Sequence, residues 1–174
     1  MDEVEGIWQG LAERYPVLKG CREDIMEAYH EMRESFARGG KLLICGNGGS
    51  SADAQHIVGE LMKELRLHRA VPEEFAAACR RLYPGQGLEE KLQGALPAIA
   101  IGVNPAFSSA YANDVAPEMA YAQEVLGYGR PGDVLLGLST SGNSGNVINA
   151  VKTARAAGLR CIGLGGLGGG MLRE

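Results

Sequence analysis

Two stretches of this chain carry side chains and backbone suited to holding an anion. Cys45-Gly46-Asn47-Gly48-Gly49-Ser50-Ser51 and Ser139-Thr140-Ser141-Gly142-Asn143-Ser144 are both rich in glycine and hydroxyl groups. Each follows a short apolar run, Leu42 to Cys45 and Asp133 to Leu138 respectively, and each precedes a segment that reads as a helix. A strand–turn–helix junction leaves the first N–H groups of its helix without intrahelical partners, and those groups bind anions. Gly48 and Gly49 let a ligand approach the backbone, while Ser50 and Ser51 add hydroxyl donors. Just beyond the first loop, His56 and Glu60 stand four residues apart. On a helix that spacing puts them about 40° from each other. The pair reads either as a solvated surface ion pair or as a chemical site.

The elements that must position these groups follow an α/β order. Residues 1 to 38 read as helical with a break at Pro16, Ile7, Leu11 and Tyr15 sharing one face and Ile25, Tyr29, Met32 and Phe36 another. Trp8 fits either packing or an anchor in a subunit interface. After the first loop, Ala54, Val58, Leu61 and Leu65 form an apolar stripe, with His56 and Glu60 on the opposite side. Residues 66 to 96 read as an inserted segment, a lid or a peripheral cover, with helices over Glu73 to Leu82 and Leu88 to Leu92 and a solvated His68. Pro97 to Val103 is expected to be a strand buried on both faces, and Asn113-Asp114 to lie in a loop before a helix from Pro117 to Leu126. Asp114 suits turn chemistry or a carboxylate reaching a substrate. Asp133 to Leu138 and Arg160 to Leu164 are the remaining strands, joined by a helix over Asn146 to Ala157. This order implies a parallel sheet with right-handed crossovers, whose ligands bind beyond the carboxyl ends of the strands.

Bulk properties exclude several functions. A net charge of −4 and a pI near 5.5 argue against a nucleic-acid binder or a polybasic membrane surface, so local donors must hold any anion. No apolar run approaches the roughly 20 residues of a membrane span. The acidic start Met1-Asp2-Glu3 is not a signal peptide, and a cytoplasmic protein is expected. Cys21, Cys45, Cys79 and Cys161 lack CxxC spacing and read as reduced, mostly buried thiols. Dinucleotide binding fails too. Gly46 to Ser51 misses the third glycine of GxGxxG, and the strand after it ends Ile101-Gly102-Val103-Asn104 without a carboxylate; Gly163 to Gly168 fits but has no room for a helix. The lysine of a nucleotide P-loop is absent.

Taken together, Cys45 to Ser50, Asp53-Ala54-Gln55-His56, Glu60, Asn113-Asp114, Gly132 to Gly137 and Ser139 to Ser144 closely resemble the phosphoheptose isomerases. These are sugar isomerase (SIS) domain enzymes that interconvert sedoheptulose 7-phosphate and D-glycero-D-manno-heptose 7-phosphate. The resemblance implies a three-layer αβα sandwich with a mainly parallel sheet. Residues 1–40 would be an N-terminal helical segment, and 41–174 the SIS domain with a helical insertion at about 66–96. It implies that Ser139, Thr140, Ser141 and Ser144 bind the phosphate, and that Asn47, Gly48, Gly49, Ser50, Asn113 and Asp114 line the sugar. His56 and Glu60 match two zinc ligands, and Glu60 also matches the catalytic base. The resemblance further implies a cytoplasmic homotetramer with sites shared between subunits, acting on sedoheptulose 7-phosphate or a related sugar phosphate. The family's remaining ligands, a glutamine and a histidine on a C-terminal helix, have no counterpart here, and Gly165 to Gly170 lacks the acidic residue relatives carry there. The expectation is a fold whose C-terminal part is missing. Two alternatives stand beside the isomerase: a non-catalytic SIS-domain tetramer that binds the replication initiator, and a sugar-phosphate sensor.

Overall fold

The computed structural model describes residues 3–174, so Met1 and Asp2, which fall in the expected helical segment and acidic start, lie outside it. Four strands, β1 (Leu42–Gly46), β2 (Ala98–Ala100), β3 (Val134–Ser139) and β4 (Arg160–Gly165), form a parallel sheet in the order β2-β1-β3-β4. The helices are α1 (Glu3–Arg14), α2 (Arg22–Ala37), α3 (Gly49–Met62), α4 (Glu73–Leu82), α5 (Leu88–Lys91), α6 (Pro105–Asp114), α7 (Ala120–Tyr128) and α8 (Gly145–Ala156), with short 3₁₀ turns between some of them.

Side-chain alternation along the strands splits the core into two layers. Leu43, Cys45 and Leu135 point to one face, where Val125 of α7 and Val147, Ala150 and Ala154 of α8 cover them. Leu42, Ile44, Val134, Leu136 and Leu138 point to the other, against Met32 and Phe36 of α2 and Ala54, Ile57, Val58 and Leu61 of α3. The result is the expected αβα sandwich. Gly137 lies on the α8 face, where a Cβ would sit 3.0 Å from a Val147 methyl, so this glycine lets α8 pack close to the sheet. The strand order reverses at β1 and β3: the chain leaves β1 for β2 on one side, then crosses back to build β3 on the other. In such sheets the crevice between the diverging crossovers, at the strands' carboxyl ends, is where ligands bind.

Several expectations need correction. Asn113 and Asp114 are not in a loop but in the last turn of α6, a helix the apolar pattern does not reveal. Its start does carry a signal: Asn104 caps the helix by accepting the Phe107 N–H at 3.1 Å, and Pro105 occupies the first turn. The second strand is three residues long at the sheet edge, not a fully buried run from Pro97 to Val103. Leu65 lies past the end of α3 and is exposed, and Ile57 takes its place in the stripe. In α1 it is Trp8 and Ala12 that are buried, while Ile7 is exposed. Trp8 therefore packs within the chain, with the Arg22 guanidinium 5.9 Å from its ring.

Candidate active site at the carboxyl ends of β1 and β3

The first loop leaves β1 at Gly46 and enters α3 within three residues. Gly48 makes the turn at φ +54°, a conformation that favours glycine, and its carbonyl accepts the N–H groups of Ser51 and Ala52. Gly46 lets the helix start directly over the strand end, since a Cβ there would meet Ser50 at 2.7 Å.

The second loop leaves β3 and is cross-braced by its own side chains. The hydroxyls of Ser139 and Ser144 lie 2.9 Å apart, and Asn143 donates its backbone N–H to Ser141 Oγ and its amide to the Ser141 carbonyl. Ser139 is buried, whereas Thr140 and Ser141 are exposed. The segment after β4 closes the back of the loop. Gly166 donates to the Thr140 carbonyl, Leu172 to that of Gly142, and Met171 to Asn143 Oδ1, each at 3.0 Å.

The two loops meet. Asn47 donates its amide to Asn146 Oδ1 at 2.9 Å, and Asn146 returns the bond to Asn47 Oδ1 at 2.8 Å, joining positions 99 residues apart. A cavity of about 470 Å³ is walled by Ser50, Asp53, His56 and Ile57 of α3, Leu138, Ser139 and Thr140 at the end of β3, and Leu164 to Gly166 at the end of β4, with Asn47 and Asn146 outside its wall. It sits at the reversal of strand order, where a parallel sheet places its ligand.

The structure brings together some of the expected residues and not others. Ser50, His56, Ser139 and Thr140 share the cavity wall. Glu60 lies one turn along α3 from His56, with its Oε1 3.6 Å from His56 Nε2 and its Oε2 3.2 Å from Lys63 Nζ. The His56 side chain is 78% exposed, as a residue facing away from the helix's apolar stripe should be, whereas that of Glu60 is only 26% exposed and lies on the flank of the stripe. Asn113 and Asp114 bond to each other at 2.8 Å, are exposed, and do not wall the cavity. The 66–96 segment contributes no wall residue either. Asp53, Tyr121 and Asn146 receive no role from the sequence alone. Asp53 is detectable there, since it precedes His56 by one turn; the other two reach the site only through tertiary contacts.

Comparison with known proteins identifies the family. A model of the SIS domain matches residues 16–91 and 76–166. A phosphoheptose isomerase from Crocosphaera subtropica is 44% identical over 80% of this chain and 59% of its own length. One from Rhodospirillum rubrum is 38% identical over 99% of this chain and 79% of its own. The chain belongs to the phosphoheptose isomerase family. Solved structures agree: the phosphoheptose isomerase GmhA of Neisseria gonorrhoeae superposes with a TM-score of 0.69 at 31% identity, covering 97% of this chain and 78% of that one. A phosphoheptose isomerase from Francisella tularensis gives a TM-score of 0.71 at 26% identity, covering 99% and 80%. The chain thus spans between about three-fifths and four-fifths of the length of these relatives.

The zinc that the family resemblance implies can be tested against the donors present. Zinc takes three or four protein ligands. Among the described residues no group of three His, Cys, Asp or Glu side chains converges, and Glu60 already shares one oxygen with Lys63. His56 and Glu60 by themselves therefore do not make a zinc site.

Proposed function

We propose that this phosphoheptose isomerase family member isomerises sedoheptulose 7-phosphate to D-glycero-D-manno-heptose 7-phosphate at the β1/β3 crevice. The observation that carries this reading is the convergence of two hydroxyl-rich loops, from neighbouring parallel strands, on one cavity whose wall also holds His56. Thr140, Ser141 and the start of α8 suit a phosphate dianion, which hydroxyls and helix N–H groups bind without a lysine. The sugar chain then extends along α3 toward His56 and Glu60. Glu60 takes a proton from C1 of the ketose, leaving an enediolate, and returns it to C2, while the O1 hydroxyl proton passes to O2, so that the carbonyl moves from C2 to C1. N–H and O–H donors around the developing oxyanion lower the barrier.

Incubating the protein with sedoheptulose 7-phosphate in D₂O tests the reading by NMR. Appearance of the aldose phosphate, with deuterium entering the adjacent carbon, is the expected result, and absence of both overturns it. Glu60→Gln should lower kcat by about 10²–10⁴, the usual worth of a positioned general base, while the sugar phosphate still binds. Turnover within threefold of wild type would remove Glu60 from the role of base.

A further inference from the structure

The orientation of the Asn47 amide is fixed by atoms that leave no choice of donor and acceptor. The Val147 backbone N–H donates to Asn146 Oδ1 at 3.0 Å, so that atom must be the oxygen. Asn47 must therefore turn its nitrogen toward Asn146 Oδ1 and its oxygen toward Asn146 Nδ2. The Tyr121 hydroxyl then faces two oxygens, the Gly46 carbonyl at 2.7 Å and Asn47 Oδ1 at 3.0 Å, and shares its single proton between them. Burial, together with the nearby Cys45 and Glu124, pushes the Tyr121 phenol above its ordinary value and keeps it a donor.

The tyrosine is itself held in place. Its ring lies against Gly102, where φ is +80° and a side chain would overlap the ring. The Gly102 N–H is in turn bound by the buried carboxylate of Glu124, one turn along α7, at 2.5 Å.

Counting bonds on Asn47 gives the consequence. Its oxygen accepts from Asn146 on one side and faces the Tyr121 hydroxyl, whose proton it shares with the Gly46 carbonyl, on the other. One N–H of Asn47 and one of Asn146 have no acceptor among the described residues. We propose that Tyr121 and Asn146 are positioning residues that lock Asn47 so that its side chain offers the substrate an N–H donor rather than its oxygen, to be met by an acceptor oxygen. This rests on the sugar-phosphate reading above and deepens it. The matching ligand atom is a carbonyl or phosphoryl oxygen.

Steady-state kinetics on sedoheptulose 7-phosphate with Tyr121→Phe, Asn47→Ala and the double variant test the coupling. Tyr121→Phe should raise KM about five- to tenfold, the size of one net hydrogen bond, with kcat within about twofold. In the Asn47→Ala background the same change should add nothing further. Asn47→Asp, which offers oxygens where the lock presents N–H groups, should bind more weakly than Asn47→Ala. Full multiplication of the Tyr121 and Asn47 effects, or Asn47→Asp binding as well as wild type, overturns the proposal. Hydrogen exchange of the wild-type Asn47 side-chain amide, read by NMR without turnover, separates this from failure of the isomerase reading. One amide proton should be protected and the other open; equal exchange of both overturns the lock even if a variant does not fold.

Discussion

Gly142 and Gly48 are both glycines at positive φ in the two loops, yet replacing them should have different consequences. Gly142 sits at φ +67° and Gly48 at φ +54°, so alanine at either pays a backbone cost of roughly 1–2 kcal/mol. Around Gly48 nothing lies within 4 Å of where an alanine methyl would stand, and the cost stops there. At Gly142 the methyl would overlap the backbone carbonyl of Gly169, which has no flexible end to swing away. The segment after β4 must then shift, and three hydrogen bonds to the second loop go with it: Gly166 to Thr140, Leu172 to Gly142, and Met171 to Asn143. At about 0.5–1.5 kcal/mol net for each, the total for Gly142→Ala comes to about 2.5–6.5 kcal/mol, against about 1–2 for Gly48→Ala. Urea denaturation of both variants, with equal m-values as the check on a common unfolded state, measures the difference. Equal losses at the two glycines would refute the claim that the post-β4 segment is pinned to the second loop.

Two further outcomes follow from buried carboxylates. Asp133 is 3% exposed and accepts from Lys41 Nζ at 2.6 Å, from the Lys41 N–H at 2.9 Å and from the Arg130 N–H at 2.8 Å. It ties the start of β3 to the start of β1, and Asp133→Ala strands those donors, so chemical denaturation should show a loss of about 3–5 kcal/mol. Glu124 is pushed above the ordinary carboxylate value near 4.5 by burial, against a smaller opposing pull from the Gly102 N–H. Between the ordinary and the raised value the folded state holds a proton that the unfolded state has released, so stability falls as pH rises through the window and is level above it. Glu124→Gln should abolish that fall. A difference in stability between variant and wild type that stays constant from about pH 4 to 8 would contradict the assignment.

What can be read from the sequence is local. Strands β1, β3 and β4, helices α3, α4 and α8 and the two glycine–hydroxyl turns each announce themselves within a dozen residues, through an apolar run, a periodic stripe or a cap. The edge strand β2 is shorter than its apolar run because such a run says nothing about how many of its residues find a pairing neighbour. Helix α6 escapes notice because it has almost no apolar stripe to detect: no residue in it is buried, and its start is marked only by the Asn104 cap and Pro105.

The part of the site that is illegible in the sequence is the part that joins its halves. A serine-rich turn can be recognised alone, but whether two such turns face one cavity depends on strand order. Only the adjacency of β1 and β3 in the sheet puts Ser50 and Thr140 on the same wall. Once they are adjacent, Asn47 and Asn146 meet across 99 residues, and Tyr121 reaches Asn47 from 74 residues away. Neither contact has a sequence period, because both are made by elements that only the folded sheet brings together. The loops carry the hydroxyls and the open N–H groups; strand order brings two hydroxyl-rich turns to one cavity, and the Val147 N–H, acting through Asn146, fixes which way the Asn47 amide points.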